Sequence, residues 1–524
     1  MPPAANNLQE FLSQLDAAGE LARVAAPVDP LLEIAAIADR ACKSPSPSPS
    51  PHSEPDKSPA GNLGGKALLF SNVKGSAFPL AINTFGSYRR MNLALQTENF
   101  AELAARVQQL VKPEIPTTLM EKMRRVPELM KLASIPPKSV RSGPCQDVVL
   151  EGDLADLTKL PIIQCWPLDG DLASTQIDER HLDAAKTAPR GTGRYITLSG
   201  IHTKHPDTGA RNIGMYRVQL FGPRTAAMHW HMHHDGARHF RAYQKRGERM
   251  PLAIALGGEP VLPYCATAPL PPGIEELLLA GFLQGRAINL VPCKTIPLEV
   301  PAESEIVIEG WVDPKETLLE GPFGDHTGYY SLADYYPKFT VTAITHRKNA
   351  IYPTTIVGKP PMEDYFIGKA TERIFLPLLQ TLVPDLLDYS LPMSGAFHNC
   401  AYVKIRKEYA FQARRVMHAI WGAGQMSLTK FIIVVDEDVD VHDEQAVLFA
   451  LFSQCDPGRD VELVKGPLDI LDHAAPELGA GSKVGYDATR KWPAEGKVRR
   501  FPEMLTFDPA TQALVTRRWR EYGL

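Results

Sequence analysis

The chain has 524 residues, more than one hydrophobic core accommodates, which implies two or three domains. Apolar residues make up 44% and charged residues 22%, the balance of an ordinary soluble globular protein. A net charge of −4 leaves no basic footprint for nucleic acid, and no apolar run approaches the length of a bilayer span.

The first twenty residues are polar and acidic (Glu10, Asp16, Glu20), which speaks against a secretory signal. Leu8, Phe11, Leu12 and Leu15 recur at helical spacing, and a strand-like Leu21–Val24 follows. Asp29-Pro30 predicts a helix start, with Asp29 as the cap and Pro30 at the first helical position. Within Lys43–Gly61, Ser and Pro alternate from Ser44 to Pro51. Repeated prolines sustain neither a helix nor an inner strand, so this is read as an exposed, mobile insertion without a function. The apolar runs Tyr195–Gly200, Gly214–Phe221 and Ala226–Trp230, with the turn Asp207-Thr208-Gly209, predict closely spaced strands. Glu305–Val312, Phe339–Thr345 and Ile351–Val357 continue them as a meander or barrel. After about Pro360, strands at Ala401–Ile405 and Phe431–Val435 flank a helix over Glu408–Ala423. The expected architecture is mixed α/β and β: an N-terminal α/β domain over 1–150 with the insertion, a central β-barrel-like domain over 151–358, and a C-terminal α/β domain over 359–524.

Seven cysteines, an odd number, lie scattered with no C-x-x-C pair. That speaks against a disulfide framework or a thiolate zinc site, and for reduced thiols in a reducing, cytoplasmic compartment.

Three segments carry candidate chemistry. In Glu320–Tyr330 (EGPFGDHTGYY) two carboxylates bracket a Gly-Pro-Phe-Gly turn and a histidine follows the second. Fully extended, five residues hold the carboxylates roughly 17 Å apart, whereas a Gly-Pro turn brings them to one pocket, where each shifts the other's pKa. The other reading is a surface turn whose acids cap backbone amides. In Asn212–Arg217 (NIGMYR), an arginine beside a glycine presents either a fork to a carboxylate substrate or a structural salt bridge. In Met228–Asp235 four histidines fall within six positions; His229, His231 and His233 share one face of a strand, but no H-E-x-x-H pattern is present. No phosphate loop of the P-loop or dinucleotide type appears. The acidic run Asp436–Asp440 reads as a solvated strand end and helix entry.

These residues resemble the UbiD family of prenylated-FMN-dependent decarboxylases, Glu320–Tyr330 resembling its signature. In order along the chain, Asn212–Arg217, Pro269–Gly285, Thr429–Val435 and Gly481–Pro493 also look like UbiD segments, as do Gly19–Asp39 and Gly143-Pro144-Cys145. The resemblance covers essentially the whole chain, apart from the Ser/Pro insertion and a polar stretch near Asp178–Pro189.

The resemblance implies prenylated FMN in the central domain, a divalent cation (Mn²⁺ or Mg²⁺) and often K⁺. It places the metal on Asn212, His233 and Glu276, a hard mixed O/N set, with His231 and His234 close to His233 in register. It assigns Arg217, Glu320 and Asp325 as the catalytic Arg–acid–acid trio, Asp at the last position agreeing with the ubiquinone-pathway members. Thr197, Asn212, Ile213, Gly214, Met215, Tyr216, Arg217, His233, Pro269 and Lys430 are the implied cofactor positions. Arg217 is expected to position the substrate carboxylate and keep Glu320 ionised, and Asp325 to protonate the ring carbon. His326 either contacts a substrate hydroxyl or orients Asp325.

The implied reaction is non-oxidative decarboxylation of a 4-hydroxybenzoate-type acid, with 3-polyprenyl-4-hydroxybenzoate of ubiquinone biosynthesis foremost. A prenylated substrate implies peripheral contact with the inner membrane. Implied partners are a flavin prenyltransferase that supplies the cofactor, and further copies of the chain in a homodimer or homohexamer. The alternatives are a decarboxylase of a soluble hydroxybenzoate or protocatechuate-type acid, a flavin-binding protein without turnover, and a histidine-cluster zinc hydrolase.

Overall fold

The computed structural model describes residues 2–48, 59–111, 134–231, 234–270, 273–496 and 499–523. The helix Leu8–Ala17 buries Leu8, Phe11, Leu12 and Leu15, and Asn7 caps it by accepting the Glu10 N–H. The strand Leu21–Val24 pairs in parallel with Ala67–Phe70, and Leu80–Ile82 and Tyr352–Pro353 complete a four-stranded sheet. The run expected over Ile351–Val357 therefore supplies two strand residues, and they belong to this N-terminal sheet. The helix expected from Pro30 instead runs Glu33–Cys42. Asp29 accepts the Leu31 N–H and Leu32 takes a φ of 68°, so a side-chain turn displaces the first helical turn. The mobility expected of the Ser/Pro insertion concerns mainly residues 49–58, outside the described residues. Its two ends are tied together, with Ser46 N donating to Asn62 O and Gly64 N to Ser44 O.

A nine-stranded antiparallel sheet forms the centre of the molecule. In chain order its strands are β1 (Val148–Glu151), β2 (Tyr195–Ile196), β3 (Gly200–Lys204), β4 (Arg211–Gly214), β5 (Val218–Gly222), β6 (Thr225–Met228), β7 (Met250–Leu256), β8 (Ile306–Glu320) and β9 (Asp334–His346). Across the sheet the order is β2-β5-β6-β9-β8-β7-β3-β4, with β1 also on β9. β8 and β9 are one long hairpin, paired from Ile306↔His346 to Glu320↔Asp334 with two register shifts. Glu320 is the last residue of β8, so the segment 321–333 is the connection that leads into β9.

The sheet is open, which corrects the barrel expectation: β2 and β4 are its ends and do not pair with each other. At β4 the Ile213 N–H donates to the Glu276 carboxylate and, just past its end, the Met215 N–H to Ala266 O, so groups other than a closing strand hold these amides. The run expected over Gly214–Phe221 accordingly splits, β4 ending at Gly214 and β5 starting at Val218. These two strands lie near opposite ends of the sheet yet are joined by Met215-Tyr216-Arg217. Four residue steps reach about 14 Å at most, so the sheet curls until its ends nearly meet. Arg217 sits on that crossing.

The C-terminal unit is a five-stranded sheet in the order Leu386–Ser390, Cys400–Ile405, Phe431–Asp436, Ala480–Asp487, Val461–Pro467. The helix Gln412–Trp421 packs on it; it is shorter than the expected Glu408–Ala423 because Phe411 takes a left-handed φ of 65° at its start. The helix Glu363–Leu382 links this unit to the centre. All seven cysteines are free thiols.

Candidate active site

Arg217 is buried and its guanidinium grips both acids of the hairpin connection. Its Nη2–H and Nε–H donate to the Glu320 carboxylate at 2.9 and 3.3 Å, and its Nη1–H donates to Asp325 Oδ2 at 2.5 Å. A second Nη2–H reaches Ser331 Oγ at 2.9 Å, and the plane lies 4.7 Å over the Phe323 ring. The connection folds back as a two-residue ladder, Phe323-Gly324 against Tyr330-Ser331, which brings Ser331 under Arg217. The four residues between the carboxylates thus make the turn expected of them. Four of the five guanidinium N–H groups are engaged in these contacts, which leaves one Nη1–H outside them.

Burial alone would raise the Glu320 carboxyl, but Arg217 and then His229 hold it below its ordinary value. An ionised Glu320 only accepts, so His229 donates Nδ1–H to it at 2.7 Å and accepts at Nε2 the hydrogen bond of His231 Nε2–H, 2.5 Å away. Burial keeps both imidazoles neutral, with pKa values below the ordinary histidine range. Tyr336 of β9 covers His229, ring centroids 4.1 Å apart. The histidine cluster therefore supports Glu320, and His229 lies past the end of β6.

Asp325 is likewise held well below the usual carboxylate range: burial opposes ionisation, but His326 and Arg217 outweigh it. Its Oδ1 accepts both the His326 backbone N–H (2.8 Å) and the His326 ring Nδ1–H (3.0 Å). These are the contacts that the orienting role expected for His326 requires. His326 Nε2 in turn lies 2.6 Å from His398 Nε2 of the C-terminal unit. Behind the connection, Asp169 accepts from Gly324, Trp166 and Cys165 N–H groups, and burial pushes its carboxyl up to about 7.

The implied metal positions Asn212 and Glu276 are neighbours: Asn212 is buried on β4, and Glu276 opens the helix Glu276–Gln284 and binds the next amide, Ile213 N, at 2.9 Å. His233 lies outside the described residues, and among those described no three His, Cys, Asp or Glu side chains gather for a metal. Burial pushes Glu276 up to about 7, and the nearby carboxylates Asp235 and Glu275 push the same way. The buried Asn212 amide nitrogen lies by Tyr216 without a well-formed hydrogen bond. A buried acid among acids, next to a buried amide side chain, fits a hard cation, which the Glu276 carboxylate and the Asn212 amide oxygen would hold.

The remaining positions are placed as follows. Gly214 is required because a Cβ there would come within 2.2 Å of the Tyr216 ring, which packs 4.7 Å from His234. The Thr197 hydroxyl is engaged by Thr354 and Thr355. Pro269 is half-buried beside residues 271–272, which lie outside the described set. Lys430 pairs with Asp472 at 2.8 Å in the C-terminal unit, apart from the Arg217 cluster. Ser331, Asp169 and His398 had no place in the sequence reading. Ser331 directly follows the signature; the other two are ordinary loop residues that only folding brings near.

Three profiles of the 3-octaprenyl-4-hydroxybenzoate carboxy-lyase family (UbiD) match in order: the N-terminal domain over residues 12–107, the Rift-related domain over 138–360 and the C-terminal domain over 365–488. The chain belongs to the UbiD family, whose members are decarboxylases, and is thus a carboxy-lyase. An uncharacterised protein of Aquifex aeolicus is 44% identical over 519 residues, 99% of each chain. Among solved structures, the UbiD-class enzyme HmfF from Pelotomaculum thermopropionicum in complex with FMN shares 27% identity, 97% of this chain, 98% of that one and a TM-score of 0.73. An evolved dimeric form of HmfF, in complex with prFMN, matches at 26% identity, 97% and 100% coverage and a TM-score of 0.72. The closed form of vanillic acid decarboxylase from Sedimentibacter hydroxybenzoicus matches in fold, at 24% identity, 99% and 98% coverage and a TM-score of 0.77.

Proposed function

We propose that this enzyme decarboxylates an aromatic acid of the 4-hydroxybenzoate type, 3-polyprenyl-4-hydroxybenzoate of ubiquinone biosynthesis, using prenylated FMN. The observation that carries this reading is the buried Arg217 held between Glu320 and Asp325 (2.9 and 2.5 Å) on one side of the curled sheet. When bound, prenylated FMN supplies the electrophile that takes up electron density as the carboxylate carbon leaves. Asn212, Glu276 and His233 would hold Mn²⁺ or Mg²⁺ at its phosphate, with K⁺ as an accessory ion, and Thr197, Ile213–Tyr216, Pro269 and Lys430 would line its place.

The protein's own part is orientation and one proton. Arg217 keeps Glu320 ionised and turns its free Nη1–H to the substrate carboxylate. The ring–carboxylate bond breaks, CO₂ leaves, and Asp325 places a proton on the ring carbon. A protonated Asp325 accepts more weakly from Arg217, so loading the acid also frees a second guanidinium donor for the substrate. The prenylated substrate is favoured over a soluble one by an apolar rim next to the site. Leu332 follows Ser331 directly, and Tyr329, Leu332 and Tyr335 are all exposed, Tyr329 to 70%.

The test is dependence on the modified flavin. Protein from a host without a flavin prenyltransferase is expected to fold but release no CO₂, and co-production with that enzyme restores turnover. Full turnover with plain FMN would sink the reading. Comparing prenylated with unsubstituted 4-hydroxybenzoate then separates the two substrate classes.

A further inference from the structure

The turn Met393–Asn399 of the C-terminal unit reaches into the site with an unusual backbone. Ala396 and Phe397 both take left-handed φ angles, 48° and 50°. L-residues hold that conformation only where neighbouring contacts fix it, and it concentrates at functional positions. The contacts are present: Phe397 packs on Gly368 and lies 5.6 Å from the His326 ring, and Asn399 N donates to Gly395 O at 2.9 Å. The result is His398 Nε2 set 2.6 Å from His326 Nε2.

Asp325, by contrast, is cut off. Its Oδ2 is taken by Arg217, its Oδ1 by His326, and only 8% of the residue is exposed, whereas His326 and His398 both keep part of their surface open, with His398 at the outer end of the chain of contacts. An acid that gives up one proton per turnover needs a route by which the next arrives.

We propose that His398 is the entry of a proton relay, His398–His326–Asp325, that reloads the acid of the decarboxylation; this rests on reading Asp325 as the proton donor. The balance is one proton in and one out. As Asp325 loses its proton to the ring carbon, His326 passes its Nδ1 proton to Asp325 Oδ1. His398 passes its Nε2 proton to His326 Nε2 and takes one from water at Nδ1, with no electron transferred; both rings then hold the opposite tautomer and return to the first by ring rotation before the next turnover. Asp325, Asp364 and Asp469 bear on His326, and Asp469, Asp325 and Asp472, the last paired with Lys430, bear on His398, while burial raises the Asp364 carboxyl itself to about 7. Burial and the His326 charge push His398 down to about 4, so it is a neutral carrier near neutral pH, whereas the Asp325 hydrogen bond raises His326 against the effect of burial. His398 touches no substrate in this scheme.

The test uses the flavin-loaded enzyme with His398→Ala and His398→Gln, each checked for flavin content. Both are expected to lose about ten- to a hundredfold in kcat and in solvent-deuterium exchange at the product ring carbon, with KM unchanged. Added imidazole should restore His398→Ala. A readout without turnover is ring ¹⁵N NMR of His326 in the flavin-free protein, whose Nε2 signal should move on His398→Ala. Wild-type exchange in both variants, or a slowed His398→Ala enzyme deaf to imidazole with an unmoved His326 signal, overturns the relay. If Asp325→Asn also exchanges at the wild-type rate, the reading of Asp325 is what fails.

Discussion

Glu276 and Glu320 are both buried carboxylates, and their surroundings send them in opposite directions. Glu320 has Arg217 and stays ionised; Glu276 has Asp235 and Glu275 for neighbours and is pushed up to about 7. An acid whose pKa is higher folded than unfolded favours the folded state less and less as pH rises from its unfolded value of about 4.5. In the metal-free protein that cost is complete above about pH 7 and is on the order of 3 kcal/mol. Glu276→Gln should therefore melt a few degrees higher than the wild type at pH 8 and at the same temperature at pH 4.5. Mn²⁺ should stabilise the wild type increasingly from pH 5 to 8 and the variant hardly at all. Equal Mn²⁺ response in both proteins would remove Glu276 from the ligand set. At this scale the sequence was most legible where residues cluster in short segments: Arg217, Glu320 and Asp325 come from two such segments and do meet. His398 was illegible because its partner lies 72 residues away and nothing local marks a lone histidine in a turn.

The element that makes the site is the β8–β9 hairpin and its connection. β8 and β9 pair at both ends, with residues 313–316 bulged out between, so the connection starts and ends at fixed points, Glu320 and Asp334. Its glycines allow contact with the wall behind: a Cβ on Gly324 would sit 2.1 Å from Trp166 Cδ1, and one on Gly321 2.5 Å from the Gly170 backbone. Trp166 is pinned by its Nε1–H to Val357 O, so it yields little. Gly324→Ala should push the Asp325 side of the connection away from Arg217, costing roughly 1–3 kcal/mol as overpacking does. Turnover should fall at least tenfold with flavin content retained; a variant with wild-type kcat and melting temperature would show that the wall moves aside. The strands themselves were legible from their apolar runs, but their closure was not. Period-two alternation records which face is buried, whereas an open or closed edge depends on what lies beside β4, and that is a helix-borne carboxylate sixty-three residues on.

Across the whole molecule, two segments bear on how much of the chain the packed body needs. The Ser/Pro insertion leaves and returns at one point, Ser44–Ser46 against Asn62–Gly64, so residues 49–58 are spliced into an already closed loop. Loop length changes stability slowly, and replacing 49–58 by two glycines should leave turnover and melting temperature nearly unchanged. A marked loss of either would mean that the insertion packs on the protein. The C-terminal segment 499–523 poses the opposite problem. Its helix Pro509–Arg518 is capped by Asp508 but buries no residue, and Phe501, Met504, Leu505, Phe507 and Trp519 are exposed, Leu505 to 98%. Solvated rings and aliphatic chains on an arm without a core are unfavourable in an isolated chain, at roughly 25 cal/mol for each Å² left wet. The same unit exposes Phe452 to 79% and Leu463 to 70%, so a second copy offers the arm an apolar surface. Truncation after Gly496 should therefore leave the monomer's fold intact and shift the mass seen by light scattering downward, with a melting temperature that no longer rises with protein concentration. A truncated chain of unchanged mass and unchanged concentration dependence would mean that the arm has no part in assembly.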